Sequence, residues 1–339
     1  MTVSLVTFEG QAWLPGCLAA LGAQELSDYE LIAHDNGSRD ASLALLEEAA
    51  HGDPRVRVRA SAENLGFCVP HDRAIAEARG QHVLLLNQDV ELDPGFLAAA
   101  VRALDDHPEA ASIQGRVRLL ASPGRRLDVL DTTGLVMARD RRAFSRARGQ
   151  VDGPEQSLAG PVWGADGPAP VYRMSALWGA RLPGSEGPWE VLDRDFYIFK
   201  EDVDLAWRLR RLGWGAWYEP DAVAWHARGT GDSGASGPLG IARANRAITS
   251  AARARSWRNQ RLMQIKNEDL RGYLRDLPWI VVREALTLAF LVAVDPRALA
   301  AVVELVRAAP SALRKRRALG ARIKRSSRSS HRWHSRSAA

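Results

Sequence analysis

Cysteine is scarce: only Cys17 and Cys68 occur in 339 residues. Two thiols are too few for a disulfide framework or a cysteine-built zinc site, and a reducing compartment is the natural reading. Aromatic residues make up only 7% of the chain, against 46% hydrophobic and 25% charged. That ordinary balance argues against disorder, a collagen-like fibre and a multi-span membrane protein. No basic n-region opens the chain, so Met1-Thr2-Val3-Ser4-Leu5-Val6-Thr7 reads as a first strand and not as a signal peptide. Internal repeats are absent, and no apolar run reaches the ~20 residues of a spanning helix. Residues 277–294 come nearest but contain Arg283 and Glu284, and they read as a helix lying on a membrane surface.

Acidic residues are missing altogether from 305–339, which carry 11 Lys and Arg. The other 304 residues hold 35 basic and 40 acidic side chains, a net of −5, so the overall +6 belongs to the C-terminal end. A general affinity of the surface for polyanions does not follow. The run Arg314-Lys315-Arg316-Arg317, with Arg322, Lys324 and Arg325 beyond it, is expected to lie against anionic lipid. Each such charge adds ~1 kcal/mol near the surface. Trp257 and Trp333 among basic residues could stack on bases, but no nucleic-acid motif accompanies them, and nucleic acid is not an expected partner.

The first 120 residues alternate short apolar runs with helical patterns, the signature of a parallel sheet covered by helices. Strands are expected at 3–7, 29–34, 55–58 and 82–86, with helices at 13–21, 41–50, 71–78 and 94–104. From 116 to about 192 the chain is rich in Gly, Pro and Arg and weak in periodicity, which suggests long loops over a second layer. Regularity returns in a helix over 200–212, acidic at its start and basic at its end as the helix dipole favours. Strand segments at 215–218 and 222–225 follow, ending beside His226, and then a basic helix over 243–263.

Polar clusters sit just past two strands: Asp35-Asn36-Gly37-Ser38-Arg39-Asp40 and Asn87-Gln88-Asp89. In open α/β sheets both would face the ligand crevice beyond the strands' carboxyl ends. Asp40 also fits a simple helix-capping role. A nucleoside diphosphate in that crevice needs a contact for its base and a held cation for its phosphates. Asp35 can accept from a pyrimidine N3–H, and Asp89 offers a hard oxygen ligand to Mg²⁺ or Mn²⁺. His226 is a plausible further ligand. In the later helix Glu201, Asp202 and Asp204 are the acids available for proton transfer, although Asp204 is also spaced i,i+4 from Arg208.

Taken in order, Val3-Ser4-Leu5-Val6-Thr7, the Asp35 to Asp40 cluster, Glu63-Asn64-Leu65-Gly66-Phe67, Leu86-Asn87-Gln88-Asp89-Val90, Glu201-Asp202-Val203-Asp204-Leu205 and Trp225-His226 resemble the family 2 inverting glycosyltransferases. The resemblance covers roughly 3–230 and is nearest to rhamnosyltransferase-like enzymes of cell-surface polysaccharide assembly. It implies a GT-A fold, a Rossmann-like, mostly parallel α/β sheet flanked by helices. The implied organisation is a catalytic domain over 1–240, split at 115 into donor and acceptor halves, a helical membrane-associating extension over 241–310, and a basic, disordered tail over 311–339.

The same resemblance implies roles residue by residue. Thr7, Asp35, Asn36, Ser38, Asp40, Asn64, Gly66, Phe67, Asp72, Asn87, Gln88 and Asp89 would contact the donor. Asp89 and His226 would hold the metal. Asp202, with Glu201, would act as general base, and Trp163, Asp166 and Asp204 would meet the acceptor. The sequence departs from the family at Asp72, where asparagine is usual, and at Asn87, where the first acid of an Asp-X-Asp pattern is missing. The implied reaction moves a sugar, rhamnose from dTDP-rhamnose as the first expectation, from a nucleoside-diphosphate donor to a glycan or lipid-linked glycan. The cofactor would be Mg²⁺ or Mn²⁺, and the enzyme would sit in the cytoplasm on the inner face of the membrane. Two alternatives are a polyprenyl-phosphate acceptor and a non-catalytic RNA- or membrane-binding protein.

Overall fold

The computed structural model describes residues 1–184, 187, 189–228 and 249–326. In chain order the first half comprises β1 (Thr2–Thr7), α1 (Leu14–Gly22), β2 (Glu30–Asp35), α2 (Ser42–Gly52), β3 (Val56–Ala60), α3 (Cys68–Glu77), β4 (His82–Asn87), β5 (Val90–Leu92) and α4 (Phe96–Asp106). Next come β6 (Ala110–Ser122), β7 (Arg125–Thr132), β8 (Leu135–Met137), β9 (Ala143–Ser145), β10 (Gly160–Val162), β11 (Val171–Arg173) and α5 (Met174–Ala180). The rest is α6 (Glu201–Arg211), β12 (Gly215–His226), α7 (Ser250–Asn267), α8 (Leu270–Val294) and α9 (Ala300–Ser326).

One ten-stranded sheet runs β10-β12-β6-β11-β4-β1-β2-β3, with β5 added to β12 and β7 to β6. β1 is parallel to both β2 and β4, and β2 to β3, as the alternation of elements predicts. These strands read as nearly continuous apolar runs because both faces are covered. Leu5, Leu31, Leu84 and Leu86 pack with α1 and α4 on one side, while Val83 and Leu85 pack with α5 and α6 on the other. Register pairs Thr7 with Asp35 and Val6 with Asn87, so the three carboxyl ends finish side by side. The polar clusters therefore open onto one crevice.

Beyond residue 116 the structure is more regular than the composition suggests. β6 alone has 13 residues, and short strands from β7 to β11 occupy the region expected to be loops. The two expected segments at 215–218 and 222–225 form one 12-residue strand, β12, whose register against β6 shifts between Glu219 and Val223. Pro220 cannot donate to a ladder, and the irregularity falls where it must.

The C-terminal end needs the largest correction. Residues 311–326, expected to be disordered, are the second half of α9; residues 243–248 and 327–339 lie outside the described residues. Nor is the basic run free for lipid: Lys315 is fully buried, 2.6 Å from Glu190, 2.5 Å from Asp193 and 2.8 Å from Asp195. Arg316 donates to the Ile265 carbonyl, leaving Arg314 and Arg317 exposed. α8 is tied to the β8–β9 hairpin, since Arg141 bonds Asp276 at 2.9 Å and Glu268 at 2.6 Å. Its 25 residues, with an 18-residue window of mean hydropathy 1.9 that is only 11% buried, are long and apolar enough to cross a membrane.

Removing a buried cation strands the carboxylates around it, at a cost of about 3–5 kcal/mol. Lys315→Ala is therefore expected to lower unfolding free energy by that amount in urea denaturation. An unchanged midpoint would mean that α9 is no part of the folded body.

Candidate active site

The crevice past β1, β2 and β4 is built by turns that depend on two glycines. Gly37 has φ 79°, and a Cβ there would meet the Glu63 backbone at 2.9 Å; Gly66 has φ 77°, and its Cβ would lie 2.6 Å from the Tyr197 carbonyl oxygen. Asp35 is 2% exposed. One of its oxygens accepts from the Gly37 and Ser38 amides, while Oδ1 accepts nothing among the described residues. A buried carboxylate oxygen without a donor fits a ligand N–H. Asn87 Oδ1 is orphaned in the same way.

Other expected donor contacts are occupied within the chain. Asn36 donates to Asn64 Oδ1 and the Gly66 carbonyl and accepts from the Leu65 amide. Asn64 also accepts from Tyr197 Oη, and the Phe67 amide donates to the Tyr197 carbonyl. Asn36, Asn64, Gly66 and Phe67 thus join the crevice to residue 197. Ser38 accepts from the Glu9 amide, and Asp40 takes the Gln11 and Ser42 amides and the Ser42 hydroxyl, one residue before Ala41, the N-cap of α2, so it is not the cap itself. Thr7 Oγ1 and the Phe8 amide both donate to Gln88 Oε1. Asp72 is the clearest correction among them. It accepts from the Val191 and Leu192 amides and from Arg194 Nε at 3.0 Å, so its carboxylate fastens the chain before α6 and does not face the diphosphate.

Asp89 follows β4, and His226 ends β12; they meet because β12 pairs with β5, just after Asp89. His226 Nε2 lies 3.4 Å from Asp89 Oδ1, and Nδ1 lies 2.8 Å from Asp131 Oδ2. Asp131, wholly buried at the end of β7, also accepts from Arg228 Nε. A carboxylate on one ring nitrogen fixes the orientation of a histidine and leaves the other for a metal. Burial alone would lower the His226 pKa, but the two carboxylates overcome it and raise it to about 9, so Nε2 must give up its proton before it can bind a metal. Among the described residues no three His, Cys, Asp or Glu converge as a closed metal cage. Asp89 and His226 fit an open site of the kind in which phosphate oxygens complete the coordination. Asp131 could not be read from the sequence, because 95 residues separate it from His226.

The second pole is the start of α6. Burial and the neighbouring Asp166 carboxylate push Asp202 up to about 6, and burial with Asp202 beside it pushes Glu201 up to about 8. Burial and a neighbouring carboxylate thus hold both groups above the usual carboxylate range. Asp166 Oδ2 and Glu201 Oε2 accept no hydrogen bond among the described residues. Asp166, expected at the acceptor, is thus also the partner that tunes Asp202. Burial lowers the pKa of nearby Lys200, against the pull of Asp202, Asp166 and Glu201.

Asp204 is corrected to a structural role: fully buried, it bonds Arg208 at 2.9 Å, Lys266 at 2.9 Å and Asn267 at 2.7 Å. Trp163 is half-buried against the core, 6.4 Å from Trp207 between ring centroids. Before α6, Tyr197, Phe199 and Lys200 adopt φ of 64°, 76° and 74°. Such left-handed conformations cost a non-glycine residue ~1–3 kcal/mol each and cluster at functional sites.

A family model described as Glycosyl transferase family 2 matches residues 2–177. The N-acetylglucosaminyl-diphospho-decaprenol L-rhamnosyltransferase of Mycobacterium tuberculosis is 26% identical over 262 residues, 70% of this chain and 79% of that protein. S. aureus TarS 1-349 in complex with UDP-GlcNAc superposes with a TM-score of 0.54 at 16% identity, covering 98% of this chain and 93% of that one. GalNAc-T7 with UDP, GalNAc and Mn²⁺ gives 0.54 at 13% identity over 67% of this chain, which spans 43% of that chain's length. The fold is therefore the expected GT-A fold.

Asp131→Asn keeps the shape but removes the charge that holds His226. Mn²⁺-dependent binding of a nucleoside diphosphate, measured by calorimetry, is expected to weaken about 10–100-fold. Unaltered Mn²⁺ dependence would detach Asp131 and His226 from metal binding.

Proposed function

Because this chain belongs to glycosyl transferase family 2, we propose that it transfers a sugar, with inversion and with a divalent cation, from a nucleoside-diphosphate donor to a glycan or lipid-linked glycan. One observation carries the reading: a cation-ready pair, Asp89 and His226, and a proton-accepting carboxylate, Asp202, made more basic by burial and by Asp166, stand in one fold. The rhamnosyltransferase relative, whose acceptor is a diphospho-decaprenol, supports rhamnose as the sugar and a lipid-linked acceptor; dTDP-rhamnose is the donor the family resemblance suggests.

Asp35 Oδ1 would receive the base N–H, and Asp89 and His226 would hold Mg²⁺ or Mn²⁺. When bound, that ion offsets the charge of the leaving diphosphate. Asp202 takes the proton of the acceptor hydroxyl as its oxygen bonds the anomeric carbon from the face opposite the breaking C–O bond. One such displacement inverts the anomeric centre. Burial and the adjacent Asp202 carboxylate raise the Glu201 pKa, which favours its protonated form.

The exposed row Val281, Val282, Leu286, Leu288 and Val292 on α8 supports contact with the inner face of the cell membrane, reinforced by the exposed Arg314 and Arg317. An enzyme held there meets a lipid-linked acceptor by diffusion in two dimensions.

Asp202→Asn is expected to reduce kcat at least 10³-fold while the donor Kd stays within about twofold. Loss of donor affinity instead would reassign the base. In the unaltered enzyme kcat should fall as pH drops through about 6, because protonated Asp202 cannot accept a proton; a flat profile from pH 5 to 8 contradicts that role. Val282→Glu with Leu286→Glu changes only exposed positions. It should cut flotation with phosphatidylglycerol vesicles about tenfold or more and spare transfer to a soluble acceptor; equal flotation would exclude α8 from membrane contact.

A further inference from the structure

We propose that Asn259, on α7, is a positioning residue for the reaction: it holds the 196–200 loop, in which Tyr197, Phe199 and Lys200 have positive φ, in the fold that aims Glu201 and Asp202. The inference rests on Asp202 being the base. Asn259 is fully buried. Its Nδ2 donates to the carbonyls of Phe196 at 3.0 Å, Ile198 at 3.0 Å and Phe199 at 2.8 Å. Two N–H groups thus serve three carbonyls on consecutive turns of one loop, a pattern that only a loop folded back on itself presents. Tyr197, Phe199 and Lys200 are the left-handed residues of that loop, and none is glycine.

The loop leads straight into the chemistry. Lys200 is the N-cap of α6, its carbonyl accepts from the Asp204 amide, and Glu201 and Asp202 are the first two residues of the helix. A change in ψ at 199 or 200 swings both carboxylates, and a displacement of about 1 Å at a reacting group can cost 10²-fold in rate. A neighbouring contact on α7 points the same way: Arg258 donates to the Asp195 carbonyl. On its other side the loop meets the donor crevice, where Tyr197 receives the Phe67 amide and bonds Asn64. α7, like the loop it holds, lies beyond residues 2–177, the part matched by the family model.

The test compares Asn259→Ala, Asn259→Ala with Phe199→Gly, and Asp202→Asn, following kcat, donor Kd and the pH profile. Asn259→Ala should lower kcat about 10²-fold, leave donor Kd within about twofold, and shift the acid limb, because Asp202 moves relative to Asp166, Glu201 and Lys200. Glycine at 199 adopts φ 76° without penalty, so the double variant should regain about tenfold in kcat. A purely structural Asn259 would alter stability but neither the limb nor the rescue. Should Asn259→Ala fail to fold, Asn259→Ser keeps one donor and carries the same expectation. Unchanged kcat and limb in the Asn259 variants, with Asp202→Asn inactive, overturn the positioning role alone. An active Asp202→Asn overturns the assignment of the base itself.

Discussion

The buried charges around Asp193 constrain everything that follows α5. Lys266 and Lys315 are fully buried, and both reach Asp193; Lys315 also holds Glu190 and Asp195, and Lys266 holds Asp204. The two ammonium groups hold Asp193 far below the usual carboxylate range, against the burial that would raise it. Desolvating so many ions is costly, and their mutual attraction offsets the cost only when the geometry is satisfied throughout. Two helices from the end of the chain are thereby fixed to the segment that delivers Glu201 and Asp202. The extension is consequently part of the catalytic body.

Two kinds of electrostatic environment stand beside that constraint. Around Asp89, anions and a histidine alternate, with His226 oriented by Asp131 and facing Asp89. Around Asp202, carboxylates crowd one another in a poorly solvated place, so their basicity rises. The first arrangement suits a leaving diphosphate and the second an attacking hydroxyl. Asp72 and Asp204, acids of the same neighbourhood in sequence, are withdrawn from both by Arg194, Arg208 and Lys266.

The parallel half of the sheet was legible because buried parallel strands are continuous apolar runs and their carboxyl-end loops carry Asp35 and Asp89. The Glu201-Asp202 start of α6 was legible from the resemblance of its motif. What stayed hidden depends on distant contacts. Asp131 meets His226 across 95 residues, Asn259 meets Phe196 across 63, and Lys315 looks like any member of a basic run until its carboxylates surround it. Composition also misled over 116–192, where glycine, proline and arginine occur within short strands. Local periodicity reports which face of an element is buried, and it cannot report which partner waits there.

The most direct test of the account is calorimetric titration with UDP-, GDP- and dTDP-sugars, in Mn²⁺ or Mg²⁺ and then in chelator, on the unaltered protein and on Asp89→Ala. The account predicts that one nucleotide class binds, that chelation weakens it, and that Asp89→Ala abolishes the metal dependence. If no nucleotide sugar binds the intact protein under any metal condition, the crevice past β1, β2 and β4 is not a donor site, and the account is contradicted.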